Sequence, residues 1–338
     1  MVKWNGRVEN MERLRILITG ATGFVGSNLT RFFQLNGHDV GITIRDESNP
    51  WRISDIEKEL SVFRIDITDS RKVRGVFSSY KPDIVINTAA FGGYHFEKNL
   101  QKIYNVNLNG TMNLVEAFLQ TNSMLFVNTG SSSEYGFKDK PMKENDPIDP
   151  YGHYAVSKAA AALYCRSRSL ETNRKLVTLR LFSVYGYYEE LHRLIPYIIT
   201  SMLKETRAKM NNPDSVRDFI FIEDIYSAYN EIIKGMDNIN NGEILNLGTG
   251  KEYSVKEIVK IAENISKQQL DIDWQFNSER TSDRARHWVA DISKLSNVLH
   301  WVPKYTLESG LSRTYDWFKE NISKYEVMGN AKITKYSK

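Results

Sequence analysis

Short apolar runs and longer amphipathic stretches alternate through the first half of the chain. The runs Ile16–Thr19, Val40–Ile44, Val62–Ile65, Ile84–Asn87, Leu125–Asn128 and Leu176–Leu181 have strand length. Apolar residues at helical spacing fall near Gly26–Asn36, Ser70–Ser79, Asn99–Thr121 and Tyr154–Thr172. Near-continuous apolar strands separated by helices predict a parallel sheet covered on both faces, an α/β fold. Gly37, just after the first helical stretch, gives that helix a C-terminal stop. The rhythm changes after Tyr185-Gly186, where strand signals thin out and proline and charge increase. A helix is expected over Asp224–Lys234 and a strand over Ile244–Leu247, ending at Gly248-Thr249-Gly250. A further helix is expected from Ser254, whose hydroxyl can cap it.

In an open parallel sheet, ligands sit beyond the carboxyl ends of the strands, so the residues after each run are the candidates. The first run leads into Thr19-Gly20-Ala21-Thr22-Gly23-Phe24-Val25-Gly26. Glycines allow a tight turn and close approach to a diphosphate, and the helix behind offers unpaired N–H groups and a partial positive charge. This order of strand, glycine turn and helix predicts dinucleotide binding. Tyr154 and Lys158 stand four residues apart on a predicted helix, hence on one face. An ammonium favours the phenolate, so the lysine is expected to lower the tyrosine's pKa and make the pair a proton acceptor and donor. Ser131, Ser132 and Ser133 leave the fifth predicted strand, where a hydroxyl can share a proton with a substrate oxygen and the tyrosine.

Composition narrows the classes. The 338 residues are 41% hydrophobic and 25% charged, with formal charge +4, which suits an ordinary globular protein and gives no argument for nucleic acid. No apolar run approaches the roughly 20 residues that span a bilayer, and Met1–Asn10 lacks a signal peptide's apolar core. The single cysteine, Cys165, suits a reducing compartment, so a cytoplasmic location is expected. The six histidines show no metal-ligand spacing, and no metal is expected.

With these motifs in order, the chain resembles the extended short-chain dehydrogenases/reductases that act on nucleotide sugars, the epimerase/dehydratase family, over roughly residues 14–320. The resemblance also rests on Asp66-Ile67, Asn87-Thr88-Ala89-Ala90, Asn107 with Gly110-Thr111, Leu179 through Gly186, and Arg217-Asp218-Phe219-Ile220. It implies a Rossmann-type doubly wound parallel sheet with a smaller mixed α/β C-terminal substrate domain. The cofactor domain would span 13–182 plus about 221–250, and the substrate domain 183–220 and 251–325. Residues 1–12 and 326–338 would be flexible ends.

By the same resemblance Tyr154 is the acid or base, Ser131 orients the sugar hydroxyl, and Lys158 holds the cofactor ribose. The cofactor would meet Gly20, Thr22, Gly23, Phe24, Val25, Gly26, Asp66, Ile67, Ala89, Ala90, Asn107 and Phe182. The nucleotide-diphosphate sugar would meet Ser132, Ser133, Ser183, Arg193, Leu194, Arg217 and Arg284. Arg45 follows the second predicted strand and can accommodate a 2′-phosphate, which favours NADP over NAD, with Asp46 beside it as a counter-signal. Family dehydratases carry an acidic residue just after the catalytic hydroxyl residue. Ser132 and Ser133 stand there, with Glu134 one place beyond. The implied activity is a nucleotide-sugar epimerase working through a 4-keto sugar, with an NADPH-dependent 4-keto-sugar reductase as the alternative. A 4,6-dehydratase and a non-catalytic cofactor-binding regulator rank below both. The resemblance also implies a homodimer through the Tyr154 helix and the helix before it, and Ala159, Ala160, Ala161 and Ala162 permit close packing there.

Overall fold

The computed structural model describes residues 13–94, 96–275 and 287–332, with side chains to Tyr325. The first half follows the strand–helix rhythm: β1 (Arg15–Thr19), α1 (Phe24–Leu35), β2 (Asp39–Ile44), β3 (Ser61–Arg64), α2 (Ser70–Tyr80) and β4 (Ile84–Asn87). It continues through α3 (Leu100–Tyr104), α4 (Thr111–Leu119), β5 (Leu125–Ser131), α5 (His153–Thr172) and β6 (Leu176–Leu181). Then come β7 (Ser183–Tyr185), α6 (Leu194–Leu203), β8 (Ala208–Met210), β9 (Val216–Arg217), β10 (Phe219–Phe221) and α7 (Ile222–Lys234). The rest comprises β11 (Ile244–Leu247), β12 (Tyr253–Ser254), α8 (Val255–Ser266), β13 (Ile272–Trp274), α9 (Ser293–Leu299) and α10 (Leu307–Lys332).

The main sheet has seven strands in the order β11-β6-β5-β4-β1-β2-β3. Every pairing in it is parallel, so all the carboxyl ends lie along one edge. Side chains alternate between faces, as the strand period of two requires. Ile16, Ile18, Ile84, Ile86, Leu125 and Val127 enter one apolar cluster, which continues into the C-terminal region through Tyr185, Phe221 and Trp317. Leu17, Val85 and Phe126 enter another, under α2, α4 and α5. On the first face α1 meets α7, with Phe32 stacked on Tyr226 at 4.6 Å. The Rossmann-type α/β architecture is therefore present, and β11 returns to its edge beside β6 from far along the chain.

Three local details differ from the sequence expectation. The stretch Asn99–Thr121 is not one regular helix, because a π-helical turn at Asn105–Gly110 separates α3 from α4. Its cause is the buried Asn107 side chain, which accepts from the Phe91 N–H and donates to the Phe91 carbonyl, each at 2.8 Å. β5 runs to Ser131 rather than Asn128, because Thr129, Gly130 and Ser131 stay in register with Leu179, Arg180 and Leu181. At the C-terminus α10 continues to Lys332, past the expected onset of a flexible end at 326. Residues 1–12 and 333–338 lie outside the described residues.

Candidate active site

A cleft of about 1260 Å³ opens along the carboxyl edge of the sheet. Its floor begins at the glycine turn. Gly20 has φ +70°, and a Cβ there would stand 2.6 Å from the Ala89 nitrogen, so only glycine lets the turns after β1 and β4 touch. At Gly26 a Cβ would stand 2.3 Å from the Gly20 carbonyl oxygen, which seats α1 directly under the turn. α1 begins after Gly23 with no side-chain cap. An uncapped helix start in a cleft fits a diphosphate anion, so these residues suit a dinucleotide.

Thr22, Phe24, Val25, Ala89, Ala90 and Phe182 line the same cleft. So do Asp66 and Ile67, whose turn is fixed from two sides. The Asp66 carboxylate accepts from the Thr68 N–H and hydroxyl, each at 2.8 Å, and the Asn113 amide donates to the Ile67 and Thr68 carbonyls. Arg45 lines the cleft at the end of β2 with its guanidinium 3.2 Å from Glu47.

The polar centre forms where β5 ends. Ser131 caps a 3-10 turn, Ser132–Tyr135, by accepting from the Ser133 N–H at 3.2 Å. Glu134 closes the reciprocal bond, accepting from the Ser131 N–H at 2.8 Å. Its other oxygen takes the Arg180 Nε–H at 2.8 Å, with both side chains buried. Glu134 is therefore committed inward, and its carboxylate is spent on Ser131 and Arg180. Tyr154 and Ser131 line the cleft together. Desolvation pushes the Tyr154 hydroxyl above the usual phenol range, and the nearby Ser131 hydroxyl only partly opposes this. Lys158 is buried, donates its ammonium to the Thr129 carbonyl, and is itself pushed down by desolvation. The expected lowering of the tyrosine by the lysine is thus corrected: desolvation raises the tyrosine, and Lys158 is not among the main groups that act on it.

The opposite wall comes from later segments. Ser132, Ser183, Arg193 and Arg217 all line it. The Ser132 hydroxyl accepts the indole N–H of Trp288 at 3.0 Å, and the Arg217 guanidinium lies over the Trp288 ring at 5.3 Å. Trp288 is held by its own backbone, whose N–H reaches Glu252 at 3.1 Å. Two residues on, the Ala290 N–H reaches the buried Asp218 at 3.1 Å. Asp218 also accepts from Thr249 and Gly250, and its burial pushes the carboxyl up to about 6 despite these bonds.

Three expected contacts are misplaced. Ser133 backs Ser131, hydroxyl to hydroxyl at 2.8 Å, and does not line the cleft. Leu194 opens α6 and packs against the core. Asn107 stands behind the wall, bonded to Phe91 and to the Ser157 hydroxyl, so it supports the loop after β4 without facing the cleft. Arg284 lies outside the described residues.

The sequence reading missed Trp288, Glu189 and Arg52, all on the cleft. Arg52 donates to the carbonyls of Thr22 and Tyr188 and pairs with Glu190 at 2.7 Å, joining the glycine turn to the segment after β7. A basic residue in the loop after β2 was the available signal for it. Trp288 and Glu189 carry no local signal. Among the described residues no cluster of His, Cys, Asp and Glu is placed to hold a metal ion. No helix among them is long and apolar enough to cross a membrane.

Comparison with known proteins agrees with this geometry. Residues 16–248 match the NAD dependent epimerase/dehydratase family. The chain is 29% identical to a UDP-glucuronate 4-epimerase of Thermodesulfobacterium geofontis, over 90% of this chain and 96% of the relative. It is 26% identical to the human dTDP-D-glucose 4,6-dehydratase, over 94% of this chain and 93% of the relative. Among solved structures, the UDP-glucuronic acid 4-epimerase of Bacillus cereus, in complex with UDP-glucuronic acid and NAD, superposes with TM-score 0.81 at 25% identity, covering 91% of this chain and 99% of that one. Relatives with different reactions stand at similar identity, so identity alone does not pick the reaction. The chain belongs to the NAD dependent epimerase/dehydratase family, the extended short-chain dehydrogenases/reductases of nucleotide sugars.

Proposed function

We propose that the protein is an NAD(P)-dependent nucleotide-sugar epimerase that inverts C4 through a transient 4-keto sugar. The observation that supports this reading is that Tyr154, Ser131 and Lys158 line one cleft together with the uncapped start of α1. When bound, the nicotinamide supplies a hydride acceptor and donor at C4. Tyr154 takes the C4 hydroxyl proton in the oxidising half and returns a proton in the reducing half. Ser131 bridges the substrate oxygen and the phenol. Lys158, anchored on Thr129, faces the cofactor ribose. Arg217 and Arg193 meet the diphosphate of the sugar nucleotide, where guanidinium groups suit an anion.

Serine at 132 and the inward pairing of Glu134 with Arg180 argue against dehydration, since neither offers an acid to a leaving hydroxyl. A second reading, an NADPH-dependent 4-keto-sugar reductase, is favoured by Arg45, which lies 36% exposed after β2 and suits a 2′-phosphate. The same residue is our ground for NADP over NAD. We assign the enzyme to the cytoplasm on its single buried cysteine. It acts as a homodimer through α5, where Val156, Leu163 and Leu170 are 38%, 49% and 58% exposed at heptad spacing. The alanine run does not make this surface: Ala159, Ala161 and Ala162 are buried in the chain's own core.

The test is a panel of UDP-, GDP- and dTDP-sugars incubated with each cofactor and followed by chromatography and reduced-nicotinamide absorbance. C4 epimers formed without net cofactor change support the epimerase. Stoichiometric NADPH loss with a 4-keto sugar supports the reductase. A 4-keto-6-deoxy product accumulating from an intact hexose overturns both.

A further inference from the structure

One carboxylate on the cleft has unused hydrogen-bonding capacity. Glu189 lies between β7 and α6, lines the cleft, and is only 4% exposed. Its Oε1 stands 3.6 Å from the Arg193 Nε, longer than a hydrogen bond. Its Oε2 is buried and meets no hydrogen-bond donor among the described residues. Such an oxygen has lost water without replacement, which is why unsatisfied buried polar atoms are uncommon.

The backbone that carries it is fixed on both sides. The Tyr325 hydroxyl donates to the Glu189 carbonyl at 2.8 Å. On either side Arg52 holds the Tyr188 carbonyl at 2.7 Å and the Glu190 carboxylate at 2.7 Å. A pinned, unsatisfied acid on a ligand cleft is the arrangement of a group whose partner arrives with the ligand, because a site built to hydrogen-bond a substrate hydroxyl discriminates strongly for it. Burial pushes the Glu189 carboxyl up to about 8, and Arg193 only partly offsets this. Near neutral pH both its acid and its carboxylate form are accessible. The ligand group that satisfies either form is one that both donates and accepts, which describes a hydroxyl.

We propose that Glu189 is a substrate-recognition residue, hydrogen-bonding through its carboxyl group to a hydroxyl of the bound nucleotide sugar. This rests on the nucleotide-sugar reading above. The sugar nucleotide is favoured over the cofactor because Glu189 shares its segment with Arg193, a cationic residue on the same cleft.

Calorimetric titration of the full chain with UDP-glucose, UDP and NAD+ tests it, comparing wild type, Glu189→Ala and Glu189→Gln. The alanine variant should bind UDP-glucose about tenfold more weakly or worse, as expected for a lost bond to a buried ionisable group. NAD+ affinity should stay within about twofold. A loss shared by UDP places the hydroxyl on the ribose, and a loss confined to UDP-glucose places it on the hexose. If the alanine variant does not fold, the glutamine variant carries the test with deoxy analogues of UDP-glucose and deoxyribose UDP. Removal of the contacted hydroxyl should weaken binding to wild type and weaken it less for Glu189→Gln. Equal or tighter UDP-glucose binding by Glu189→Ala overturns the proposal, as does a loss confined to NAD+. A wild type that binds no nucleotide sugar overturns the functional reading and the proposal together, a result distinct from wild type and variant binding alike.

Discussion

The two walls of the cleft are made of different material. Around the glycine turn, backbone lies against backbone: Gly20 and Gly26 leave no room for a Cβ, and α1 starts without a side-chain cap. Across the cleft, side chain lies on side chain: Trp288 on Ser132, Arg217 over Trp288, Arg193 beside Glu189. The first wall has shape as its constraint, and almost any added atom disturbs it. The second has chemistry as its constraint, and its residues are exchangeable in size but not in hydrogen bonding. A wall of backbone suits a ligand part that every family member shares. A wall of side chains suits the part that varies, so substrate choice belongs to the second wall. Tyr154 and Ser131 sit at the seam between them.

The largest effect is expected at that seam. Tyr154→Phe keeps the ring and removes the proton-transfer oxygen, so turnover should fall at least about 10²-fold with cofactor affinity nearly unchanged. Near-normal turnover would remove Tyr154 from the chemistry. The pH profile sharpens this. Desolvation raises the Tyr154 hydroxyl above its ordinary pKa, and a base must first lose its proton. The kcat/KM for the oxidising direction should therefore climb into the alkaline range. Ser131→Ala deletes a hydroxyl that lowers that pKa, so the climb should move further alkaline. A shift toward acid would contradict the assignment.

The next effect is on stability. Glu134→Ala leaves Arg180 buried without its carboxylate, which typically costs about 3–5 kcal/mol. It also frees the Ser131 N–H, so residual activity should drop as Ser131 loses its position. Denaturant unfolding and turnover, measured on the same preparation, check both halves. A variant as stable as wild type would mean that the pair contributes nothing net. Gly20→Ala tests the other wall. Its φ of +70° and the 2.6 Å approach to Ala89 predict a cost of roughly 1–3 kcal/mol and weakened cofactor binding. Intact NAD(P) affinity in this variant would break the backbone-versus-side-chain distinction.

The same distinction explains what was legible in the sequence. A backbone wall is written in consecutive residues, so the glycine turn, Asp66-Ile67 and Ala89-Ala90 could be read where they stand. Ser254 was legible for the same local reason, and it forms a capping box with Glu257. The π turn was not, because it depends on Asn107 reaching the backbone of Phe91, a contact between distant segments. Glu189 and Trp288 were silent because their meaning comes from burial and from partners folded against them. Ser133 and Leu194 were read one position too generously: adjacency to a site residue turns a side chain the other way as often as it turns it inward.

The smallest predicted effect tests whether the side-chain wall sets substrate affinity through hydrogen bonding. Trp288→Phe retains a ring for the Arg217 guanidinium and for the edge contact with Phe137, while it removes the indole N–H that reaches Ser132 along with part of the ring surface. A lost neutral hydrogen bond is worth about 0.5–1.5 kcal/mol, which corresponds to roughly a two- to tenfold rise in KM for the nucleotide sugar. The Ser132 hydroxyl, no longer fixed by that donor, can turn to another acceptor, so the preference among sugars should broaden. Trp288→Ala should be more severe, because the cation–π contact, worth about 0.5–1 kcal/mol at partly exposed sites, goes as well. Cofactor affinity should be unchanged in both variants, since the contacts of Trp288 are with Ser132, Arg217, Phe137 and Glu252. Steady-state kinetics against a sugar panel, with NAD(P) titration beside it, read all of this together. Equal KM values for wild type and both variants would remove Trp288 from substrate binding, and the wall's selectivity would then rest on Ser183, Arg193, Arg217 and Glu189.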